Sequence, residues 1–246
     1  MATLILARHG RTAANATGVL AGRTKGVHLD EQGVAQARSA AERVAGLPLA
    51  AIVTSPLGRC RETARELRKQ QQDPPTVAVE RRLVECDYGS WTGQKLSALA
   101  KEPLWATVQA HPSAAAFPEG ESLAKMAARS VAACRDWDAR VEEEHGPDAV
   151  WLAVTHGDVV KAVVADALGL HLDHFQRIGV DPASLSVIRY TPLRPFVLTV
   201  NSVAGDLSGL KDQPKPARGG RAGDAAVGGG AGSLGPSSRR RPGRTP

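Results

Sequence analysis

Three short apolar runs in this chain each end in residues suited to holding or attacking phosphorus. Thr3–Ala7 runs into Arg8-His9-Gly10, Leu49–Val53 into Thr54-Ser55-Pro56-Leu57-Gly58-Arg59, and Ala149–Val154 into Thr155-His156-Gly157. An arginine offers a planar fork of donors for phosphoryl oxygens. A histidine serves as nucleophile or as acid–base, and a glycine lets backbone N–H groups approach an anion. Pro56 suits a first helical turn, which puts Arg59 near a helix N-terminus, a second place for an anion. If the three runs are parallel strands, their carboxyl ends share one edge. They then build a pocket of two arginines and two histidines that can neutralise a phosphoryl group. Attack by His9 leaves an alkoxide that needs a proton. A carboxylic acid with a raised pKa supplies one, and Glu85, among Leu83, Tyr88 and Trp91, is the best-placed carboxyl.

The elements that must position these residues follow from periodicity. The runs at 3–7, 49–53 and 149–155 read as buried strands, and 76–79 as a further short one. Ala13–Gly26 reads as a loop. Asp30 is a plausible N-cap, and Val34, Ala37, Ala41 and Val44 mark a helix from about Glu31 to Ala45. A second helix follows Pro56. Leu83–Gly93, with acids, aromatics and glycines in no regular period, is a compact loop. Leu96–His111 is weakly helical and broken at Pro103. Pro118–Ser122 is a turn that leads into a long helix carrying Leu123, Met126, Ser130, Cys134, Trp137 and Val141 and ending at Gly146-Pro147. Val159 to Leu168 mark a helix that Gly169 stops. Ser184–Tyr190 and Phe196–Val200 read as a closing strand pair around Pro192 and Pro195.

Composition bounds the rest. A hydrophobic fraction of 42% in 246 residues supports a sizeable core built from Ala, Val, Leu and Ile. Of the net charge of +6, residues 206–246 carry +5 and the rest +1. A nucleic-acid face on the folded part is therefore not implied. Residues 206–246 hold ten Gly, five Pro and no aromatic, too little apolar surface to fold, and read as a disordered tail after a domain spanning 1–205. Cys60, Cys86 and Cys134 form neither a disulfide framework nor a zinc ribbon. No signal sequence or membrane span is evident, so the cytoplasm is the default compartment. His171 and His174 lack the carboxylate or cysteine set that a metal site needs, and read as surface residues. Lys161, one helical turn after His156, reads equally as a pocket-rim or a snorkelling surface lysine.

Five blocks taken together resemble the histidine phosphatase superfamily, the phosphoglycerate mutase-like family. They are Arg8-His9-Gly10-x-Thr12-x-x-Asn15; Leu29-x-x-x-Gly33-x-x-Gln36-Ala37; Ser55-Pro-Leu-x-Arg59-x-x-x-Thr63-Ala64; Leu83-x-Glu85-x-x-Tyr88-Gly89-x-Trp91-x-Gly93; and Thr155-His156-Gly157. Pro118-Glu-Gly-Glu-Ser122 resembles the family's Pro-Gly-Gly-Glu-Ser, with Glu119 in place of the first glycine. The resemblance spans roughly residues 3–202. It implies a single three-layer α/β domain with a mixed, mainly parallel sheet and phosphoryl transfer without metal or cofactor. His9 is then the nucleophile; Arg8, Arg59 and His156 hold the phosphoryl oxygens with Asn15 and the Gly157 backbone; Glu85 is the acid. Gly22 falls where the family places a backbone contact to substrate, and Arg23 beside it is a further candidate contact. Only 35 positions separate Glu85 from Gly120, so the long insertion of the family's phosphoglycerate mutases is absent. That favours a phosphomonoester phosphatase, of broad specificity or of the α-ribazole phosphatase type, acting on a small phosphorylated metabolite. A phosphomutase and an inactive phospho-ligand sensor or adaptor stay open as alternatives, as does a homodimer.

Overall fold

The computed structural model describes residues 2–205 and 227–230. Four strands run parallel: β1 (Thr3–Arg8), β2 (Leu49–Thr54), β3 (Val77–Val79) and β4 (Val150–Thr155). β5 (Leu185–Arg189) pairs antiparallel with β1, and β6 (Phe196–Ser202) antiparallel with β5. The order across the sheet is β3-β2-β4-β1-β5-β6. This is the mixed, mainly parallel sheet expected, and it sets the three functional strand ends side by side in the order β2, β4, β1.

Strand alternation divides the core into two layers. Leu4, Leu6, Val53, Trp151 and Ala153 face one side, against α6 (Leu123–His145) and α7 (Gly157–Ala167). Ile5, Ala7, Ile52, Leu152 and Val154 face the other, against α2 (Glu31–Val44) and α3 (Gly58–Lys69). Burial on both faces is why these strands read as unbroken apolar runs. Asp30 caps α2 as expected, its carboxylate accepting from the Gly33 N–H at 2.7 Å. The weakly helical stretch after residue 96 resolves into two short pieces, 96–99 and 103–110, with Pro103 opening the second.

Two local expectations need correction. Within the stretch read as a loop, Ala13–Ala16 forms one helical turn, because Thr12 and Asn15 close a reciprocal capping box. Pro56 lies outside α3, which begins at Gly58; Arg59 still falls in the first turn. The expected disordered tail lies outside the described residues except for Val227–Gly230, which are placed against the functional edge of the sheet.

The β1 strand end is locked by a backbone contact that only glycine allows. A Cβ on Gly33 would sit 2.0 Å from the Arg11 carbonyl oxygen, and one on Gly10 2.4 Å from the Gly33 carbonyl oxygen. α2 therefore lies directly on the turn that carries His9. Gly33→Ala should cost roughly 1–3 kcal/mol as overpacking, lowering the melting temperature by several degrees, whereas Gly46→Ala, which meets nothing within 4 Å, should be near neutral. Calorimetric melts of the two variants check this contrast.

Candidate active site

His9 is buried at the end of β1. Its Nδ1 lies 2.7 Å from the Gly10 carbonyl oxygen. A carbonyl only accepts, so Nδ1 carries the hydrogen and Nε2 keeps its lone pair. The Arg59 Nε–H points at that lone pair from 3.2 Å. Burial, then the charges of Arg59 and Arg8, hold the His9 pKa well below the usual imidazole range. The ring is neutral at neutral pH, with the lone pair of Nε2 facing Arg59.

Arg59 joins three segments. Its Nη2 donates to the Gly22 carbonyl at 2.7 Å and to His156 Nδ1 at 3.1 Å, while its Nε rests on His9. Its Nη1 is buried with no hydrogen-bond partner among the described residues. Such a donor is costly unless an anion arrives to take it. Because Nδ1 of His156 accepts, its Nε2 carries the hydrogen and donates to Ser55 Oγ at 2.7 Å. Burial and the neighbouring cations hold His156 neutral as well.

Arg8 is fully buried at the last position of β1. Its Nη1 donates to the Val180 carbonyl at 2.7 Å and its Nη2 to the Gly230 carbonyl at 2.6 Å. Burial lowers its pKa to about 10, still charged at neutral pH. Glu85 enters from the loop after β3. Its Oε1 accepts from the Cys86 N–H at 2.9 Å. Burial first, and the carboxylate of Asp158 second, raise its pKa to about 7, against the pull of Arg59 and Arg8. Near neutrality it holds a proton that it can give.

Most of the expected site residues meet around one cavity of about 20 Å3, lined by His9, Asn15, Gly22, Arg59, Glu85 and Tyr88 among others. Arg8 joins them through Gly230, which lines the same cavity, and His156 through Arg59. Asn15 turns its Oδ1 to Thr12, which leaves its amide nitrogen as the end not used by the cap. Gly157 opens α7 directly after His156. Gly22 lines the cavity, and its carbonyl is spent on Arg59.

Arg23 is elsewhere. Its Nε donates to the Glu85 carbonyl at 2.9 Å, and the guanidinium pairs with Asp87 at 3.2 Å and Glu121 at 2.8 Å. It braces the acid-bearing loop from behind and does not line the cavity. The role of Gly10 also differs from the expected one: its N–H donates to Thr63 Oγ1 at 3.1 Å, and its missing Cβ makes room for α2. Trp91 packs against Trp105 and Phe117. Lys161 is buried, its Nζ 2.8 Å from Gln176 Oε1 and 3.7 Å from Asp158. His171 lies beside Asp173, and no group of three or more ligand-type side chains among the described residues could hold a metal ion.

The site contains residues that sequence reasoning passed over. Arg129, on α6, donates to the carbonyls of Arg82, Val84 and Glu85 and to the Glu121 carboxylate. Asp158 accepts from the Tyr88 hydroxyl at 2.7 Å and is fully buried. An acid two residues after His156, inside an otherwise apolar helical run, was a legible signal. Arg129, one of several charges on a long amphipathic helix, carried none.

The histidine phosphatase superfamily (branch 1) profile matches residues 4–203. The chain is 30% identical over 207 residues to phosphoserine phosphatase 1 of Hydrogenobacter thermophilus, covering 82% of this chain and 92% of that protein. It is 31% identical over 217 residues to a probable phosphoglycerate mutase of Erwinia tasmaniensis, covering 86% and 96%. Among solved structures, a mycobacterial glucosyl-3-phosphoglycerate phosphatase in complex with VO3 superposes with a TM-score of 0.73 at 27% identity, covering 81% of this chain and 99% of that one.

The protonated state of Glu85 has a consequence for stability. Its folded pKa of about 7 lies above the ordinary 4.5, so between those values the folded chain binds a proton that the unfolded chain has released. Stability from this group is present below the ordinary value and falls as pH rises through about 7. Glu85→Gln removes the titration and keeps the acceptor for the Cys86 N–H. It should melt higher than the native protein at pH 8, by on the order of 2 kcal/mol, with the gap closing by pH 5. Denaturant titrations at the two pH values read the difference directly.

Proposed function

The chain belongs to the histidine phosphatase superfamily, and we propose that it is a phosphomonoester phosphatase that works through a phosphohistidine at His9. The observation that carries this reading is the pairing of a neutral His9, its Nε2 lone pair exposed to Arg59, with a Glu85 that keeps its proton near neutrality. Nε2 attacks phosphorus while Arg8 and Arg59 take the phosphoryl oxygens. The Arg59 Nε–H rests on the attacking nitrogen, so the incoming phosphoryl group finds a donor already there. The Nδ1–H bond to the Gly10 carbonyl steadies the positive charge that grows on the ring. A dianion nearby raises the basicity of His156, and a proton on its Nδ1 turns that atom from an acceptor of Arg59 into a donor to phosphate.

The bond from phosphorus to the ester oxygen breaks, and Glu85 gives its proton to the departing alkoxide. The resulting carboxylate takes a proton from water as that water attacks the phosphohistidine. Inorganic phosphate leaves, and His9 and Glu85 return to their starting states. No charge is left unbalanced: the phosphoryl dianion meets two guanidiniums, and the nearby Asp158 is neighboured by Lys161 at 3.7 Å.

The substrate class this reading supports is a small phosphorylated metabolite. Relatives named for phosphoserine and for glucosyl-3-phosphoglycerate point to the same class. The mutase-named relative favours a second reading, in which the phosphoryl group returns to another hydroxyl. With 3-phosphoglycerate as substrate, release of free phosphate supports hydrolysis, and accumulation of the 2-isomer supports the mutase.

The acid assignment has its own test. p-Nitrophenyl phosphate has a good leaving group and needs little protonation, whereas an alkyl ester such as β-glycerophosphate needs it fully. Glu85→Gln should lower kcat for β-glycerophosphate by about 10²–10⁴ and affect p-nitrophenyl phosphate far less. Equal losses on both substrates would reject Glu85 as the acid. His9→Ala should abolish turnover on both, and residual burst labelling of that variant from a radioactive phosphate ester would reject His9 as the nucleophile.

A further inference from the structure

α3 divides its charges between two sides. Glu62 and Glu66 turn toward α2 and the loop before it: Glu62 pairs with His28 and accepts from the Leu29 N–H at 2.9 Å, and Glu66 pairs with Arg38 at 3.2 Å. Arg61, Arg65 and Arg68 stand exposed on the other side, and among the described residues they pair with no carboxylate. With Thr76, Val77 and Val79 they line a cavity of about 390 Å3 beside β3, the last strand on that edge of the sheet. We propose that this groove docks an acidic, extended segment of a partner protein. The segment pairs with β3 as a further strand and sets an Asp or Glu at every second position against Arg61, Arg65 and Arg68. None of the lining residues belongs to the phosphoryl site, so docking here stands independently of the reaction.

The edge has backbone to offer. The Glu80 N–H donates to the Thr54 carbonyl of β2 at 2.9 Å. A strand turns the amides of successive residues to opposite sides, so Val77 and Val79 present their N–H and C=O groups to the open edge. Val79 is 51% exposed, an apolar side chain that a docked strand would cover. Val77 packs on the α3 side of the sheet, and Val79 shares its face. Glu80 lies on the opposite face, where it pairs with Arg82 at 3.0 Å and accepts from the Trp137 Nε1–H at 3.1 Å. The carboxylate that follows β3 is therefore turned away from the arginines.

Spacing selects the occupant. At a rise of about 1.5 Å per residue, Arg61, Arg65 and Arg68 follow one another along α3 at about 6 and 4.5 Å. Alternate side chains of an extended peptide repeat at about 6.6 Å. An acid at every second position thus meets the row, each guanidinium taking a carboxylate with its fork of donors. Arg68 is already braced, its Nε donating to the Pro75 carbonyl at 3.0 Å. In strand addition of this kind main-chain pairing supplies affinity and alternate side chains supply specificity. Residues 1–205 carry a net charge of only +1, so the row is a local concentration of charge and not a sample of a basic surface. Nucleic acid fits less well, because no aromatic side chain among the described residues lines the cavity for a base to stack on.

Fluorescein-labelled peptides and the full-length protein test this by anisotropy. One peptide alternates Glu with Val and Thr. A second has the same composition with its glutamates in one block. Two more repeat the first with alternate backbone amides N-methylated, one in each register. The alternating peptide should bind, and more weakly as salt is added. The blocked isomer, and one of the two N-methylated peptides, should bind about 10-fold more weakly or worse. The double variant Arg61→Glu/Arg65→Glu should lose at least as much. Val79→Pro removes an outward N–H and leaves the bonds to β2 in place; it should melt close to the native chain and lose affinity for the alternating peptide. Equal binding of the blocked isomer, or of both N-methylated peptides, would mean charge attraction without strand pairing and would overturn the proposal. Undiminished binding to either variant would overturn it too, as would tighter binding of an oligothymidylate than of the alternating peptide. No binding at about 1 mM peptide would reduce the arginines to a guard against self-pairing of the edge. Should Val79→Pro fail to fold, the N-methylated peptides on the native chain decide the same question.

Discussion

The Arg59 guanidinium is the interaction on which the rest of the site depends. It reaches from the first turn of α3 to the His9 ring on β1, the Gly22 carbonyl in the loop after β1 and the His156 ring after β4. Three strand ends become one site because a single planar cation touches a group from each. The neighbouring order β2-β4-β1 brings these ends within its reach. The glycine contact between α2 and the turn after His9 holds the strand end still while it does so. A lysine there has neither the planar fork nor the number of fixed donors to repeat the arrangement.

Concentrating cations in this way has a cost that the surroundings offset. Arg8 and Arg59 disfavour each other, and both disfavour protonated His9 and His156. The result is useful, because an imidazole that cannot hold a second proton is a nucleophile at neutral pH. Asp158 and Asp181 sit close enough to favour the Arg8 charge. Asp158 in turn helps keep Glu85 protonated. One buried aspartate thus favours both the charge on Arg8 and the proton on Glu85. The protein carries a carboxylic acid near pH 7 at some expense in stability, a trade common where a site must be pre-set for its reaction.

Much of this was legible in the sequence, for physical reasons. Strands buried on both faces advertise themselves as apolar runs. A run that stops abruptly at Arg8-His9 or Thr155-His156 marks where the strand leaves the core. Glu85 stood out because it is a carboxyl among Leu83, Tyr88 and Trp91. What was not legible is where long side chains point from irregular backbone. Arg23 follows a glycine in a loop, and nothing local says that it turns back to the Glu85 carbonyl and Glu121 rather than into the cavity. Arg129 sits 44 residues from the carbonyl of Glu85 that it braces, a pairing that only the packing of α6 creates. Glu119 shows the opposite case. The family-like turn has glycine there, and the structure gives Glu119 a φ of 60°, so the sequence departure carries a backbone strain of the kind glycine avoids.

Composition speaks to autonomous folding and to nothing else. A stretch rich in glycine and proline cannot bury enough surface to build a core of its own, and that inference is sound for autonomous folding. It says nothing about docking on a core that already exists. There the same glycines become an asset, since a backbone without side chains can lay its carbonyls and N–H groups directly on buried charges such as Arg8 and Asp158. A single apolar residue, Val227, is buried there. For low-complexity chain next to a charged pocket, the question to ask is therefore which buried donors and acceptors the pocket leaves for backbone to satisfy.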